Sequence, residues 1–142
     1  MKDILLKIVG KQVTMGTEEE QLEFVTEGKY YVKDDSIYLL YDESEFSGMA
    51  GCTTSLKITD DHIKMKRYGQ GLGLDTEIIF EKGKRFKGYY DTPYGSVEME
   101  VLTNDIVNKI EKSEGRGSLN IDYNNSLRGL SEGRSILDIQ II

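Results

Sequence analysis

"YYVKDDSIYLLY", residues 30–41, decides the fold. Tyr30 and Val32 share one face, and Ile37, Leu39 and Tyr41 share another. Apolar side chains two residues apart lie on the same side of an extended backbone, so each half reads as a β-strand. Between them stands "KDDS", residues 33–36. Aspartate tolerates the positive φ of a tight turn, so the stretch predicts an antiparallel hairpin.

The same grammar extends outward in both directions. Towards the N-terminus come Ile4, Leu6 and Ile8, then Leu22 and Phe24. Towards the C-terminus the in-phase sets are Ala50, Cys52, Thr54, Leu56 and Ile58; then Ile63, Met65 and Arg67. Leu72 to Phe80 follow, then Phe86, Gly88 and Tyr90, and Val97, Met99 and Val101. Leu119, Ile121 and Tyr123, and finally Leu137, Ile139 and Ile141, close the chain. Turn signals such as "TDDH", "EKGK", "TPYG" and "SEGR" separate them at a spacing of about ten residues. The single proline, Pro93, falls in a turn. Residues 104–113, "NDIVNKIEKS", admit two readings: a short helix capped by Asn104 and carrying Ile106, Val107 and Ile110, or an extension of the preceding strand. About eight to ten consecutive strands with hairpin connections predict an antiparallel up-and-down β-barrel over residues 1–142, because closure removes sticky edges that a sandwich would leave.

Composition bounds the function. The chain has 142 residues, 38% of them hydrophobic, which suits one domain with one core. No apolar run approaches the ~18 residues that span a membrane, and "MKDILLKIVGKQV" reads as a strand and not as a signal peptide. One cysteine, Cys52, excludes an internal disulfide and fits a reducing, cytoplasmic setting. The net charge is −7. Residues 1–62 hold 6 Lys/Arg against 13 Asp/Glu, whereas residues 63–142 are balanced at 12 and 12. Nucleic acid would meet repulsion. Lys64, Lys66, Lys82, Lys84, Arg85 and Lys87 could still gather into a local basic face, for which a solvated barrel exterior is the simpler account.

Four stretches together, "YYVKDDSIYLLYDE", "TSLKI…IKMKRYG", "YYDTPYGSVEMEVLT" and "GRGSLNIDYN", resemble the YwiB-like family of small bacterial proteins. Their order and spacing carry the likeness, over roughly residues 3–142. The resemblance implies a calycin-type, lipocalin-like barrel in the bacterial cytosol, a domain of unknown function. It implies no catalytic residue. Barrels of that architecture often hold an apolar ligand in the lumen.

Strand parity then places candidate site residues. Successive strands of a meander reverse direction. The strands ending at Tyr41, Arg67, Tyr90 and Tyr123 run the same way, so one barrel mouth should gather Glu43, Cys52, Arg67, Tyr90 and Tyr123, with Tyr30 joining at the start of a descending strand. Arg67 continues the Ile63–Met65 face, so alternation points its guanidinium inward, where an isolated charge is costly. Glu43 is within reach as a partner. Arg67 is therefore either an anchor for a ligand carboxylate or phosphate, or a rim arginine turned to water or paired structurally with Glu43. Tyr90 and Tyr123 are either head-group donors or core aromatics with a wet hydroxyl.

Other motifs point away from chemistry. Glu43 and Glu45 flank a turn and read as solvated acids. Cys52 shares a face with Ala50, Thr54 and Leu56, as an inert buried thiol does. His62 falls in a turn at the other end of the barrel from Cys52, which argues against a Cys–His pair. One histidine and one cysteine fit no zinc spacing, and no cofactor is expected. "GQGLG", residues 69–73, precedes a strand where a phosphate loop needs a helix. Residues 41–58 read as strand, loop and strand, the loop acting as a lid or recognition element. The expectation is a barrel that binds a small apolar or amphipathic, anionic ligand at its mouth. The alternative is an interaction or structural module with a side-chain-filled lumen. An enzyme using Glu43 and Arg67 ranks last, no membrane or nucleic-acid partner is expected, and a homo-oligomer is allowed but not indicated.

Overall fold

The structure, a computed structural model, describes residues 2–14, 19–42, 52–69, 76–92, 95–127 and 131–142. These form ten strands: β1 (Lys2–Thr14), β2 (Glu20–Lys33), β3 (Ser36–Asp42), β4 (Cys52–Ile58) and β5 (Ile63–Gly69), followed by β6 (Thr76–Phe80), β7 (Arg85–Thr92), β8 (Gly95–Asn108), β9 (Gly117–Leu127) and β10 (Ser131–Ile141). No helix among them is long and apolar enough to cross a membrane.

Neighbouring strands follow the order β6-β5-β4-β3-β2-β1-β10-β9-β8-β7, all antiparallel. The first and last strands pair from Leu6↔Ile141 to Thr14↔Gly133 and so join the two ends of the meander in one sheet. Only β6 and β7 face each other without a ladder among the described residues, so the barrel is nearly closed. The opening hairpin is as the sequence predicts. Lys33 pairs with Ser36, and Asp34 and Asp35 both take positive φ, 52° and 64°. That two-residue turn matches the twist of the flanking strands.

Alternation sorts side chains into lumen and exterior. Leu6, Leu39, Leu56, Phe80, Leu119, Ile121 and Ile139 are fully buried, and Val101 and Ile58 nearly so. On the outer wall Tyr31 stacks on Tyr38 with ring centroids 4.6 Å apart. The basic residues of the second half are neutralised locally: Lys64 and Lys66 by Glu77, Lys82 by Asp105, Lys84 by Glu81, and Arg85 and Lys87 by Glu100. They belong to a solvated, charge-balanced exterior.

Residues 104–113 resolve as strand and turn. β8 continues to Asn108. A bulge lies between Thr103, opposite Tyr123, and Asp105, opposite Asp122. Asn104 is the extra residue, so the inward phase passes from Val101 and Thr103 to Ile106. Beyond it, residues 109–116 curl under the lower end, defined as the end where β3 begins. Glu111 bridges Arg116, and Lys109 N–H bonds Ser118 O at 2.8 Å. Tyr30 Oη donates to Lys112 O at 2.6 Å, and Gly115 lies so near the Tyr30 ring that a Cβ there would come within 3.1 Å of it. Ile110 packs against the core from this side.

Candidate functional site

Two inward rows become polar at the upper end. On one wall the row Leu39–Leu56–Met65 gives way, one layer up, to Tyr41–Thr54–Arg67. On the facing wall the row Ile106–Ile121–Leu137–Gly10–Leu22 lies under Thr103–Tyr123–Ser135–Gln12. The lumen is therefore layered, with hydroxyls and a guanidinium above packed aliphatic side chains.

Between the walls lies a cavity of about 610 Å³. Its polar lining includes Tyr41, Arg67, Tyr123, Ser135, Gln12 and Gln21; its apolar lining includes Ile8, Leu22, Phe24, Ile136 and Leu137, with Gly10 between. Lys11 and Glu20 sit at the rim, both exposed. Arg67 is half-buried and its Nε is shielded from solvent. The ring of Tyr123, which lines the cavity, tilts against Phe80, centroids 4.9 Å apart. Thr103, in the same row, is buried, and its Oγ1 has no hydrogen-bond partner among the described residues. No histidine or cysteine lines the cavity among those residues. What such an arrangement can do is recognise: it offers one fixed cation, several hydroxyls and an apolar wall. Two other recesses, of about 820 and 420 Å³, are lined by exposed charged residues such as Asp3, Glu27 and Lys29 together with the buried Ile4, Gly28 and Tyr41, or by Arg85, Glu132 and Arg134.

The candidate residues separate as follows. Arg67 and Tyr123 line one cavity. Tyr90 is a backbone member of β7 near its upper end, and its side chain, like that of Cys52, lies outside the described ones. Glu43 and Glu45 lie outside the described residues, as does the whole loop between β3 and β4. Tyr30 is a correction. It does not begin a descending strand but lies near the far end of β2, opposite Lys2 and Leu39, at the lower end of the barrel. Leu22, Phe24 and Tyr30 belong to one continuous strand whose intervening inward residues are Thr26 and Gly28, so the apolar pattern breaks where the strand does not. Gly28 is needed there: a Cβ would lie 2.7 Å from Leu40 O. Burial raises the Tyr30 phenol pKa, as suits a structural donor.

Cys52 and His62 lie at opposite ends of the barrel, at the start of β4 and beyond its end. His62 instead shares a turn with Thr59 and Asp61, its Nδ1 lying 2.7 Å from Asp61 Oδ1; hydrogen bonding from His62 holds the Asp61 carboxyl below its usual range. Of the described lining residues, Arg67 and Tyr123 are candidates from sequence; Gly10, Leu22, Ser135 and Leu137 are among those that are not. The available signal was a small or polar residue interrupting an apolar face, Gly10 after Ile4, Leu6 and Ile8, and Ser135 before Leu137, Ile139 and Ile141.

The crystal structure of the ywiB protein from Bacillus subtilis is similar, with a TM-score of 0.70 over 99% of this chain and 93% of that one at 19% identity. The uncharacterized beta-barrel protein YwiB of Bacillus subtilis (strain 168) is 28% identical over 104 residues, 73% of this chain and 70% of that protein. Residues 6–139 match the family described as Domain of unknown function (DUF1934). Matched over nearly its whole length, and folded as that β-barrel relative is, the chain belongs to the DUF1934 family of uncharacterised β-barrel proteins.

Proposed function

We propose that the protein binds a small, partly apolar anion in the upper cavity and does no covalent chemistry on it. One observation carries the reading: Arg67, on the inward face of β5, lines a 610 Å³ cavity together with Tyr41, Tyr123 and Ser135 and opposite Leu22, Phe24 and Leu137. That size and that mixture of apolar and polar lining residues suit a small-molecule site. The planar fork of a guanidinium suits a carboxylate or a phosphate. A second reading, a filled barrel acting as an interaction module, draws on the fully buried side chains of the lower lumen. The test is titration with anilinonaphthalene sulfonate, an anionic apolar fluorophore, and with phenylnaphthylamine, its neutral counterpart. Both should bind, and Arg67→Gln should weaken the anionic probe about tenfold, the worth of one charge-assisted hydrogen bond, while sparing the neutral one. Binding of neither probe to the unmutated protein would transfer support to the filled-barrel reading.

A further inference from the structure

Thr103 carries a cost that packing alone does not require. It sits on the inward face of β8, beside Tyr123 in the same row. It is 1% exposed, and its Oγ1 is shielded from solvent with no hydrogen-bond partner among the described residues. A buried hydroxyl left unpaired gives up its bonds to water and gains none in return. Valine has nearly the same shape and no such penalty. An orphan of this kind calls for a physical account.

Its surroundings supply one. The Thr103 backbone anchors the β6–β7 turn: Gly83 N–H donates to Thr103 O at 2.9 Å, and Thr103 N–H donates to Lys84 O at 3.3 Å, a long bond. The ion pairs of the turn, Lys82 with Asp105 and Lys84 with Glu81, are largely solvated and hold it weakly. The seam beside the turn has no ladder among the described residues. Side chains close it instead: Ile78 and Phe80 of β6 belong to the core, and Phe86 of β7 packs against it. Phe80 is fully buried and lies on the ring of Tyr123, which in turn lines the upper cavity. One aromatic ring thus stands between the seam and the cavity. The turn that ends β6 is bonded to the very residue whose hydroxyl is unpaired. β6 itself pairs with β5 alone. An excursion that parts Gly83 from Thr103 and lifts Phe80 off Tyr123 admits water to Thr103 Oγ1. The penalty is relieved in the open form, which brings that form closer in free energy to the closed one.

Resting on the binding reading above, we infer that β6 and the turn after it are a side gate to the upper cavity, kept easy to open by the buried, unpaired hydroxyl of Thr103. The test is Thr103→Val, which removes the hydroxyl and keeps the branched shape. Native-state hydrogen exchange should slow about tenfold at the bonded amides of β6, the effect of one unpaired hydroxyl. It should slow by the same factor at the amides of β1 and β10 that exchange only on global unfolding. Phenylnaphthylamine should enter and leave about tenfold more slowly in stopped flow, with its Kd unchanged. Slowing in β1 and β10 but not in β6 overturns the inference, because the hydroxyl then meets water only when the whole barrel unfolds. Unchanged entry and exit rates place the entrance elsewhere and overturn the gate, while binding of the probe leaves the broader reading standing. Binding of neither naphthalene probe to the unmutated protein removes the gate and the binding reading together. Should Thr103→Val fold poorly, saturating the unmutated protein with phenylnaphthylamine should still slow β6 exchange, and exchange indifferent to the probe overturns the gate.

Discussion

Asp122 stands on the outer face of β9, where two polar side chains converge on it. Arg134 of β10 donates from Nε at 2.9 Å and from Nη2 to the second oxygen, a two-point grip, and Asn104 Nδ2 donates at 3.2 Å. The Arg134 guanidinium is the main cause holding the Asp122 carboxyl below its ordinary range; partial burial opposes it, and Asn104 adds to it. A carboxyl lowered in the folded state contributes stability that is complete above its unfolded pKa, about pH 4. That stability is lost as pH falls through the lowered folded value. Arg134 is more than half exposed, so solvent screening limits the pair to about 1 kcal/mol. Asp122→Asn should therefore cost up to ~1 kcal/mol in urea unfolding at pH 7 and less at pH 3, where the unfolded carboxyl is already largely protonated. An equal cost at both pH values would assign the effect to packing and not to charge.

At the scale of elements, the hairpin between β8 and β9 has its own logic. It closes the lower end only because Gly117 adopts a φ of 129°. A Cβ there would collide with Lys109 O and lie 2.8 Å from the Ile110 Cα, both backbone atoms that cannot swing aside. Gly83, in the β6–β7 turn, also has positive φ, 77°, but a Cβ would meet nothing within 4 Å. The two glycines separate conformational strain from collision. Gly83→Ala should cost about 1–2 kcal/mol, the left-handed penalty alone. Gly117→Ala should cost about 3 kcal/mol or more, since overpacking adds its own 1–3. Urea midpoints measure both, and equal costs would show that the hairpin shifts freely. The same hairpin shows what a sequence conceals. Thr103, Ile106 and Ile110 are spaced three and four apart, as on a helix, only because the Asn104 bulge inserts a residue into a strand. Strand phase and direction are local properties, so Arg67 and Tyr123 could be brought to one end from sequence. Tyr30 could not, because Thr26 and Gly28 silence the inward face of β2. Gly10 and Ser135 join the site through the β1–β10 register, which depends on residues more than a hundred apart and leaves no local trace.

For the whole molecule, the question is where a nearly closed barrel opens. The ladder that closes it, β1 with β10, joins nine residue pairs across almost the entire sequence, and both strands have a second partner, β2 and β9. The β6–β7 seam has no ladder among the described residues, although those strands are adjacent in sequence. What tethers it is the turn: Lys84 N–H bonds Glu81 O at 2.9 Å, while Gly83 N–H reaches across to Thr103 O at 2.9 Å on β8. β6 is further held by five residue pairs to β5 alone. Removing β6 breaks one short ladder, whereas parting β1 from β10 breaks a long one and exposes the Leu6 and Ile139 core. Folding order runs the other way, because the most distant pairing is the slowest to find, but stability once formed follows the bonds that must break. Native-state hydrogen exchange should therefore show the bonded amides of β6 opening at least ~tenfold more often than those of β1 and β10, with β7 next. Since Phe80 at the end of β6 packs on Tyr123 of the cavity, the same opening should be slowed when the cavity is occupied. Uniform protection around the barrel, or first exchange in the β1–β10 ladder, would mean that side-chain packing across the seam replaces the missing hydrogen bonds in full.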